Sequence, residues 1–420
     1  MPVRFRAVLF CLCVLLLLSF AACSRKAESP RASDSAVSGA FMPAAVETDG
    51  IAAEKSAVAE GARVRRDASA AEASSGGNRI QPRPGLLTAG EWNDNAEYDF
   101  LLKLMQTNQE WRTFEQRWQM SLARRTQVKA TAGNEPAVNA VAELLGKNGE
   151  SLWAARTDNS GTAYVFAGFN KDRDAAEPAT LRVTYNGSRV EKPYAAGQAY
   201  HIAFSGGKAS APALDLMFVV DTTGSMQDEL DFLNAELVNV IDRVRRDNAN
   251  IPVRLSVNVY RDEGDEYVIR AAPFDRDLKN AQNFLSRQKA DGGGDYEEAV
   301  EQALDDALNK HDWDMGARAR LLFLVLDAPP HNTKAVAAEM RKLTAQAASM
   351  GIRIIPVASS GVDKDTEFLL RALAAASGGT YVFLTDDSGI GYAHLEPTIG
   401  PYDVEQLNNL LARLINGYLR

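Results

Sequence analysis

Cysteine is nearly absent from this 420-residue chain: there are three, and Cys11, Cys13 and Cys23 all fall before residue 24. The remainder has no thiol for a disulfide framework or a thiolate metal site, so its stability must come from ordinary apolar cores. Histidine is almost as sparse. His201, His311, His331 and His394 show no H-E-x-x-H or other ligand spacing, which leaves zinc hydrolysis without a motif. A P-loop G-x-x-x-x-G-K-[ST] is missing, and Gly224-Ser225-Met226 is no G-x-S-x-G elbow, so two large hydrolase classes lose their signature. Lysine and arginine form no run beyond short doublets and the net charge is −9, which argues against a nucleic-acid partner.

The N-terminus is better endowed. Arg4 and Arg6 precede an apolar stretch from Ala7 to Phe20 that ends in Ala21, Ala22 and Cys23. A basic start, a short apolar centre and small residues before the break predict a secretory signal peptide over 1–22, too short for a comfortable membrane span. A cysteine directly after the small pair resembles the bacterial lipobox, with Phe20 in place of the usual leucine. The resemblance implies lipidation at Cys23 and a lipoprotein of the bacterial cell envelope, and Ser24 points to the outer membrane or its periplasmic face. Loss of Arg4 and Arg6 takes the net charge from −9 to −11. Residues 23–83 are rich in Ala, Ser, Glu and Arg and almost without aromatics, so they bury too little apolar area to offset chain entropy. A disordered tether is expected there.

Composition changes at Pro84. Trp92, Tyr98, Phe100, Leu101, Leu104, Trp111, Phe114 and Trp118 recur at spacings of three and four, which predicts a helical segment over 84–125 docking its aromatic stripe on the following domain. Over 126–210 the signals become short strands at 126–130, 138–145, 151–156, 163–167, 181–185 and 200–204, several of them separated by Gly-containing turns. A small all-β sandwich is expected. The passage running from Pro136 through Asn139-Ala140-Val141 to Ala155-Arg156-Thr157-Asp158 and Gly161 resembles the carboxypeptidase-regulatory type of sandwich. That resemblance carries no catalytic residue and implies a spacer or binding module. Asn186-Gly187-Ser188 fits a glycosylation sequon, yet in a bacterial lipoprotein it reads as a hairpin turn.

After Leu214 strands and helices alternate, the signature of a doubly wound, mostly parallel α/β sheet over 211–390. A strand at 214–220 precedes Met226, Leu230, Leu233, Leu237, Ile241 and Val244, which recur at helical spacing. Val253, Leu255, Val257 and Val259 alternate as a strand, with 267–271 as hairpin partner. Helices over 278–288 and 297–309 flank the loop Gly292-Gly293-Gly294. An apolar strand at 321–326 is followed by helix 334–350, strand 352–357, helix 366–376 and strand 380–384. Residues 391–420 hold a last helix, with Asp403 as its expected N-cap and Leu407, Leu410, Leu411, Leu414 and Ile415 facing the body.

One loop carries the chemistry. The strand at 214–220 stops at Asp221, and Thr223 and Ser225 follow at alternate positions, so a carboxylate and two hydroxyls leave one strand end. Three hard oxygen donors suit a divalent cation held partly by protein and partly by water. The strand at 321–326 also ends in a carboxylate, Asp327, and the glycine run ends in Asp295. Parallel strands bring their carboxyl ends to one edge, so Asp221 and Asp327 can converge.

The set Asp221-Thr222-Thr223-Gly224-Ser225-Met226, Gly293-Gly294-Asp295 and Asp327 resembles the von Willebrand factor type A (VWA) domain and its metal-ion-dependent adhesion site, over 213–384. The resemblance implies Thr223 and Ser225 as direct ligands, with Asp221 and Asp327 acting through bound waters. It also implies an open position filled by a carboxylate of a protein partner. Magnesium suits such a shell, with manganese or calcium as alternatives. Asp295 departs from the family, which usually has a threonine there; a third carboxylate tightens the cation and weakens its pull on an acidic partner. Asp262 is a candidate outer carboxylate around the metal, or a surface ion pair with Arg261 or Arg270.

Plainer readings exist for each residue: Thr223 or Ser225 as a helix cap, Asp327 as a turn former before Ala328-Pro329-Pro330, His331 as a solvated turn histidine. A strand ending in aspartate also resembles the haloacid-dehalogenase phosphatases, whose nucleophile it would be. Those enzymes need a second carboxylate two residues later, where this chain has Thr223. The expectation is a non-enzymatic, membrane-anchored module that uses a divalent metal to bind an unidentified protein ligand. The alternatives are a scaffolding envelope lipoprotein without metal-dependent binding and an Asp-nucleophile phosphatase.

Overall fold

Apolar runs with no polar face can only form strands covered on both sides, and two such runs centre the molecule. The computed structural model describes residues 80–169, 177–207 and 211–420; the expected signal peptide, Cys23 and all but the end of the tether lie outside them. Chain order begins with β1 (Thr88–Trp92), α1 (Tyr98–Thr107) and α2 (Gln109–Trp118). Eight strands follow: β2 (Arg125–Ala132), β3 (Glu135–Pro136), β4 (Val141–Leu145), β5 (Ser151–Arg156), β6 (Thr162–Phe166), β7 (Thr180–Tyr185), β8 (Ser188–Pro193) and β9 (Tyr200–Phe204). The alternating part comprises β10 (Ala211–Asp221), α3 (Leu230–Asp247), β11 (Val253–Tyr260), β12 (Ile269–Asp275), α4 (Leu278–Leu285) and α5 (Val300–Asn309). It continues with β13 (Ala317–Leu326), α6 (Lys334–Met350), β14 (Ile352–Ala358), α7 (Lys364–Ser377), β15 (Tyr381–Leu384), β16 (Glu405–Gln406) and α8 (Leu407–Leu419).

The central sheet has the order β12-β11-β10-β13-β14-β15-β1-β16. Its five inner strands from β11 to β15 are parallel, and β12, β1 and β16 pair antiparallel at the edges. Along β10 and β13 successive side chains serve opposite layers. Leu216, Phe218, Val220, Leu321, Phe323 and Val325 pack with α3, α4 and α8. Met217, Val219, Leu322, Leu324 and Leu326 pack with α5, α6 and α7. Each such side chain contributes about 1.5–3 kcal/mol by leaving water, which is why these two strands sit at the middle. The domain is a doubly wound α/β fold. Thr333 and Asp363 cap α6 and α7 by accepting from Val336 N and Thr366 N, and Gly351 and Gly378 end both helices in the left-handed conformation.

Residues 84–125 differ from the expected helical segment. Thr88–Trp92 is a strand of the central sheet, paired with β15, and the carboxylate of Glu236 on α3 accepts the backbone N–H groups of Gly85, Leu86 and Leu87 that lead into it. The second helix docks on α7, where Trp111 meets Phe368 edge-on at 5.4 Å and Trp118 Nε1 donates to Asp365, while Tyr98 of the first accepts from Arg125 N at the start of β2. Residues 125–204 form two four-stranded sheets, β5-β4-β7-β8 and β3-β2-β6 with β9 parallel to β2. Their apolar faces meet where Trp153 of β5 packs on Phe166 of β6 at 5.6 Å. The last helix starts at Leu407 and not after Asp403, because Glu405 and Gln406 are still paired with Ala89 and Thr88. No helix among the described residues is long and apolar enough to cross a membrane.

Candidate metal centre

Chain direction reverses its walk across the sheet at β10, whose neighbours are β11 on one side and β13 on the other. A crevice opens outside the carboxyl ends of strands at such a switch point. Asp221 is the last residue of β10, opposite Tyr260 of β11, and Asp327 directly follows β13. Asp221 is completely buried. Its Oδ1 accepts from Thr223 N at 2.8 Å and from Thr223 Oγ1 at 2.7 Å, and Thr223 Oγ1 lies 3.2 Å from Ser225 Oγ. Residues Gly224–Asp228 make a 3₁₀ turn before α3, and the Thr223 side chain caps nothing there. Its hydroxyl proton goes to Asp221, which leaves its lone pairs available.

The glycine loop is stitched to this turn. Gly224 N donates to Gly292 O at 3.0 Å and Asp291 N to Thr222 O at 3.1 Å, while Gly293 N donates to Asp265 Oδ2 at 2.9 Å. Gly293 has φ +76°, and a Cβ on it would stand 3.1 Å from Glu298 Oε1 and 3.4 Å from the Thr223 Cβ. Glycine is needed for both the dihedral and the approach.

Burial raises the pKa of Asp221 and of Asp327, and the charge of Asp221 adds to the rise at Asp327. Hydrogen bonds from Thr223 to Asp221 and from Ser225 to Asp327 offset only part of this. Glu298, next to them, is pushed up to about 9 by burial and then by the charges of Asp221, Asp262 and Asp327. Carboxyl groups crowded in this way hold their protons unless a cation lies among them. Among the described residues, one oxygen each of Asp228, Asp262, Glu298, Glu301 and Asp327 is buried without a hydrogen-bond partner and Asp221 Oδ2 has only the Tyr260 hydroxyl near it; all lie in the loops and first helical turns at this edge of the sheet. Buried carboxylates elsewhere are served: Asp94 by Arg371, Asp215 by Arg254, Asp306 by Asn258. The donors around Asp221 are all hard oxygens, a set that fits a magnesium-type cation.

The residues singled out in the sequence fall into two groups. Asp221, Thr223 and Ser225 are joined by hydrogen bonds, and Asp327 reaches the Ser225 hydroxyl. Asp295 is exposed and clusters with Asp262 and His331, whose ligand atoms all lie within 4.8 Å of one another. Asp262 makes neither of the ion pairs open to it in the sequence, since Arg261 pairs with Asp291 and Arg270 with Glu266. Glu298 escaped sequence reasoning. Its only signal was the acidic run Asp295-Tyr296-Glu297-Glu298 after the glycines; the side chain is buried because Glu298 N bonds to Pro329 O and the two loops bridge at Pro330.

Residues 215–387 match the family model for the von Willebrand factor A domain, and the chain carries such a domain there. An ariadne-like RING finger protein of Acanthamoeba polyphaga mimivirus is 29% identical over 119 residues, 28% of this chain; the match spans 11% of that relative's length. Among solved structures, conserved hypothetical protein BatB from Bacteroides thetaiotaomicron is 13% identical, with 49% of this chain and 98% of that chain covered at a TM-score of 0.35. The SpRpn10 VWA domain is 10% identical, with 48% and 94% covered at a TM-score of 0.33.

Proposed function

We propose that the VWA domain is a divalent-metal-dependent protein-binding module, with Asp221, Thr223, Ser225 and Asp327 around the cation, and that Cys23 anchors the chain in a bacterial cell envelope. One observation carries the metal: Asp327 Oδ1 is buried without a hydrogen-bond donor and Asp221 Oδ2 has only the buried Tyr260 hydroxyl near it, beside two hydroxyls with lone pairs to give. Magnesium, or manganese or calcium in its place, supplies a Lewis-acidic position for an oxygen ligand of the partner. Asp262 and Asp295 nearby make that position less welcoming to a strongly acidic surface, so the partner offers one oxygen ligand among neutral or basic residues. Binding is preferred to phosphoryl chemistry because Thr223 stands where a phosphatase needs an acid/base carboxylate, and its hydroxyl is already spent on Asp221. The lipid anchor rests on the Ala21-Ala22-Cys23 motif alone.

Magnesium at 100 times its Kd should stabilise the fold by about 2.7 kcal/mol, read as a rise in Tm, and Asp221→Ala should abolish the rise. A wild-type melting curve that does not move over millimolar magnesium or manganese would sink the metal reading. Capture from envelope extract should yield a partner lost on chelation and with Asp221→Ala, whereas a partner held equally with and without chelator favours the scaffold. Cys23→Ser should release the chain to the soluble fraction; continued membrane retention counts against the anchor.

A further inference from the structure

We infer that Asp262, Asp295 and His331 form a second cation site, separate from the oxygen-only site at Asp221, that takes a first-row transition-metal ion of the zinc class. The three residues come from three loops of the same edge: Asp262 follows β11, Asp295 ends the glycine run, and His331 follows β13. Their ligand atoms lie within 4.8 Å of one another.

The second observation is Asp262 itself. Its side chain is nine-tenths buried, and Oδ1 has no hydrogen-bond partner. The group it faces is His331 Nε2, at 3.6 Å. That is too long for an N–H···O bond. Two ligands on one tetrahedral ion with bonds of about 2.0–2.1 Å stand roughly 3.4 Å apart, within a few tenths of an ångström of the 3.6 Å seen. An imidazole nitrogen with two carboxylates ranks zinc-class ions above magnesium, so the two sites differ in the ion they prefer.

The scaffold holds the three loops together without any ion. Asp265 accepts from Asp262 N at 3.2 Å and from Gly293 N at 2.9 Å, tying the first loop to the second. Glu298 N donates to Pro329 O at 2.9 Å, tying the second to the third. Thr333 N bonds to the His331 carbonyl at 2.8 Å and Thr333 caps α6, so the histidine is fixed to a helix start. Exposure rises from buried Asp262 through half-buried His331 to exposed Asp295, which gives an ion a path inward. An isolated Asp262–His331 ion pair is the competing account, and it predicts no dependence on metal.

The test is zinc binding to the untagged full-length protein, stripped with chelator and held in millimolar magnesium so that the Asp221 site is saturated or irrelevant. One zinc per chain is expected. Asp262→Asn and His331→Gln should each weaken it by more than the roughly 10–100-fold that loss of an outer partner costs, and Asp221→Asn should leave it within a few-fold. Zinc affinity unchanged in both of the first two variants, or lost in Asp221→Asn, overturns the second site. Melting in chelator controls for folding; if Asp262→Asn does not fold, His331→Gln carries the test, because that side chain is 31% exposed. The magnesium reading at Asp221 can fail without touching this result, and the converse holds.

Discussion

The two ends of the central sheet both bury charge, and they differ in what meets it. At the amino end Arg320 is 2% exposed and donates to the carbonyls of Met350, Asp314 and Ala317 and to Asn139 Oδ1. Arg353 donates to the carbonyls of Ser377 and Arg156, and Arg156 in turn to that of Ser349. Ser349, Met350 and Ser377 end α6 and α7, so these guanidiniums satisfy helix C-terminal carbonyls at the negative ends of the dipoles. Burial, with Arg156 and Arg353 nearby, pushes Arg320 down to about 10, which still leaves it charged at neutral pH. The same bonds pin the two small sheets to the central one through Asn139 and Arg156. At the carboxyl end the buried groups are acidic, and oxygens of Asp262, Glu298 and Asp327 go unserved. One end uses buried charge to join parts of the chain, and the other leaves these oxygens without a donor.

The comparison breaks most visibly if an unserved carboxylate is made where no cation can repair it. Arg371 is fully buried between Asp94 and Glu367, with bonds of 2.6 Å and 3.1 Å. Arg371→Leu leaves Asp94 with the Trp92 indole N–H on Oδ1 and removes the guanidinium from Oδ2, and should cost about 3–5 kcal/mol in urea unfolding, with no recovery on adding magnesium. A loss under about 1 kcal/mol would mean that unpaired buried carboxylates are cheap here, and the argument from the carboxyl end would lose its force.

A smaller change separates backbone strain from metal geometry. Gly293 and Gly133 both have left-handed φ, +76° and +63°, but a Cβ on Gly133 meets nothing within 4 Å. Alanine at either should cost about 1–2 kcal/mol from the dihedral alone. Only Gly293→Ala presses on Glu298 and Thr223, so only it should shrink the magnesium-induced rise in Tm. Equal responses in the two variants would separate the glycine loop from the site.

How much of this could be read in the sequence depends on whether a residue obeys a period. The strands β10 and β13 are continuous apolar runs, and Asp221, Thr223 and Ser225 are contiguous with one of them, so both strands and that part of the site were legible. Strand β1 was not: Thr88-Ala89-Gly90-Glu91-Trp92 has no apolar run, and its partner β15 lies almost three hundred residues later. Gly90 sits there because a Cβ would strike the Phe383 ring at 2.5 Å, a contact that no local pattern announces. Strand β8 lies almost wholly exposed at a sheet edge, without alternation to betray it. Asp295 and Glu298 stand on an irregular loop, where neither spacing nor parity says which side chain turns inward. Three-dimensional stitching decides that: the bond from Glu298 N to Pro329 O turns Glu298 in and leaves Asp295 to meet Asp262 and His331.

The gentlest test concerns Glu229, a carboxylate at the acidic end held by a histidine. His394 Nε2 lies 2.9 Å from Glu229 Oε1 and its Nδ1 2.8 Å from Asp386 Oδ1, with the imidazole 4% exposed. Burial lowers the pKa of this ring, but the hydrogen bonds and charges of Glu229 and Asp386 outweigh it and leave the value raised. A histidine whose folded pKa exceeds its unfolded value of about 6.5 stabilises fully below that value, and the contribution disappears as pH rises through the folded pKa. The metal-free protein should therefore lose stability as pH rises from about 6.5, and His394→Asn should reduce that slope, leaving the part that Glu298 contributes up to about 9. A slope unchanged in His394→Asn would place the titrating group elsewhere at this edge.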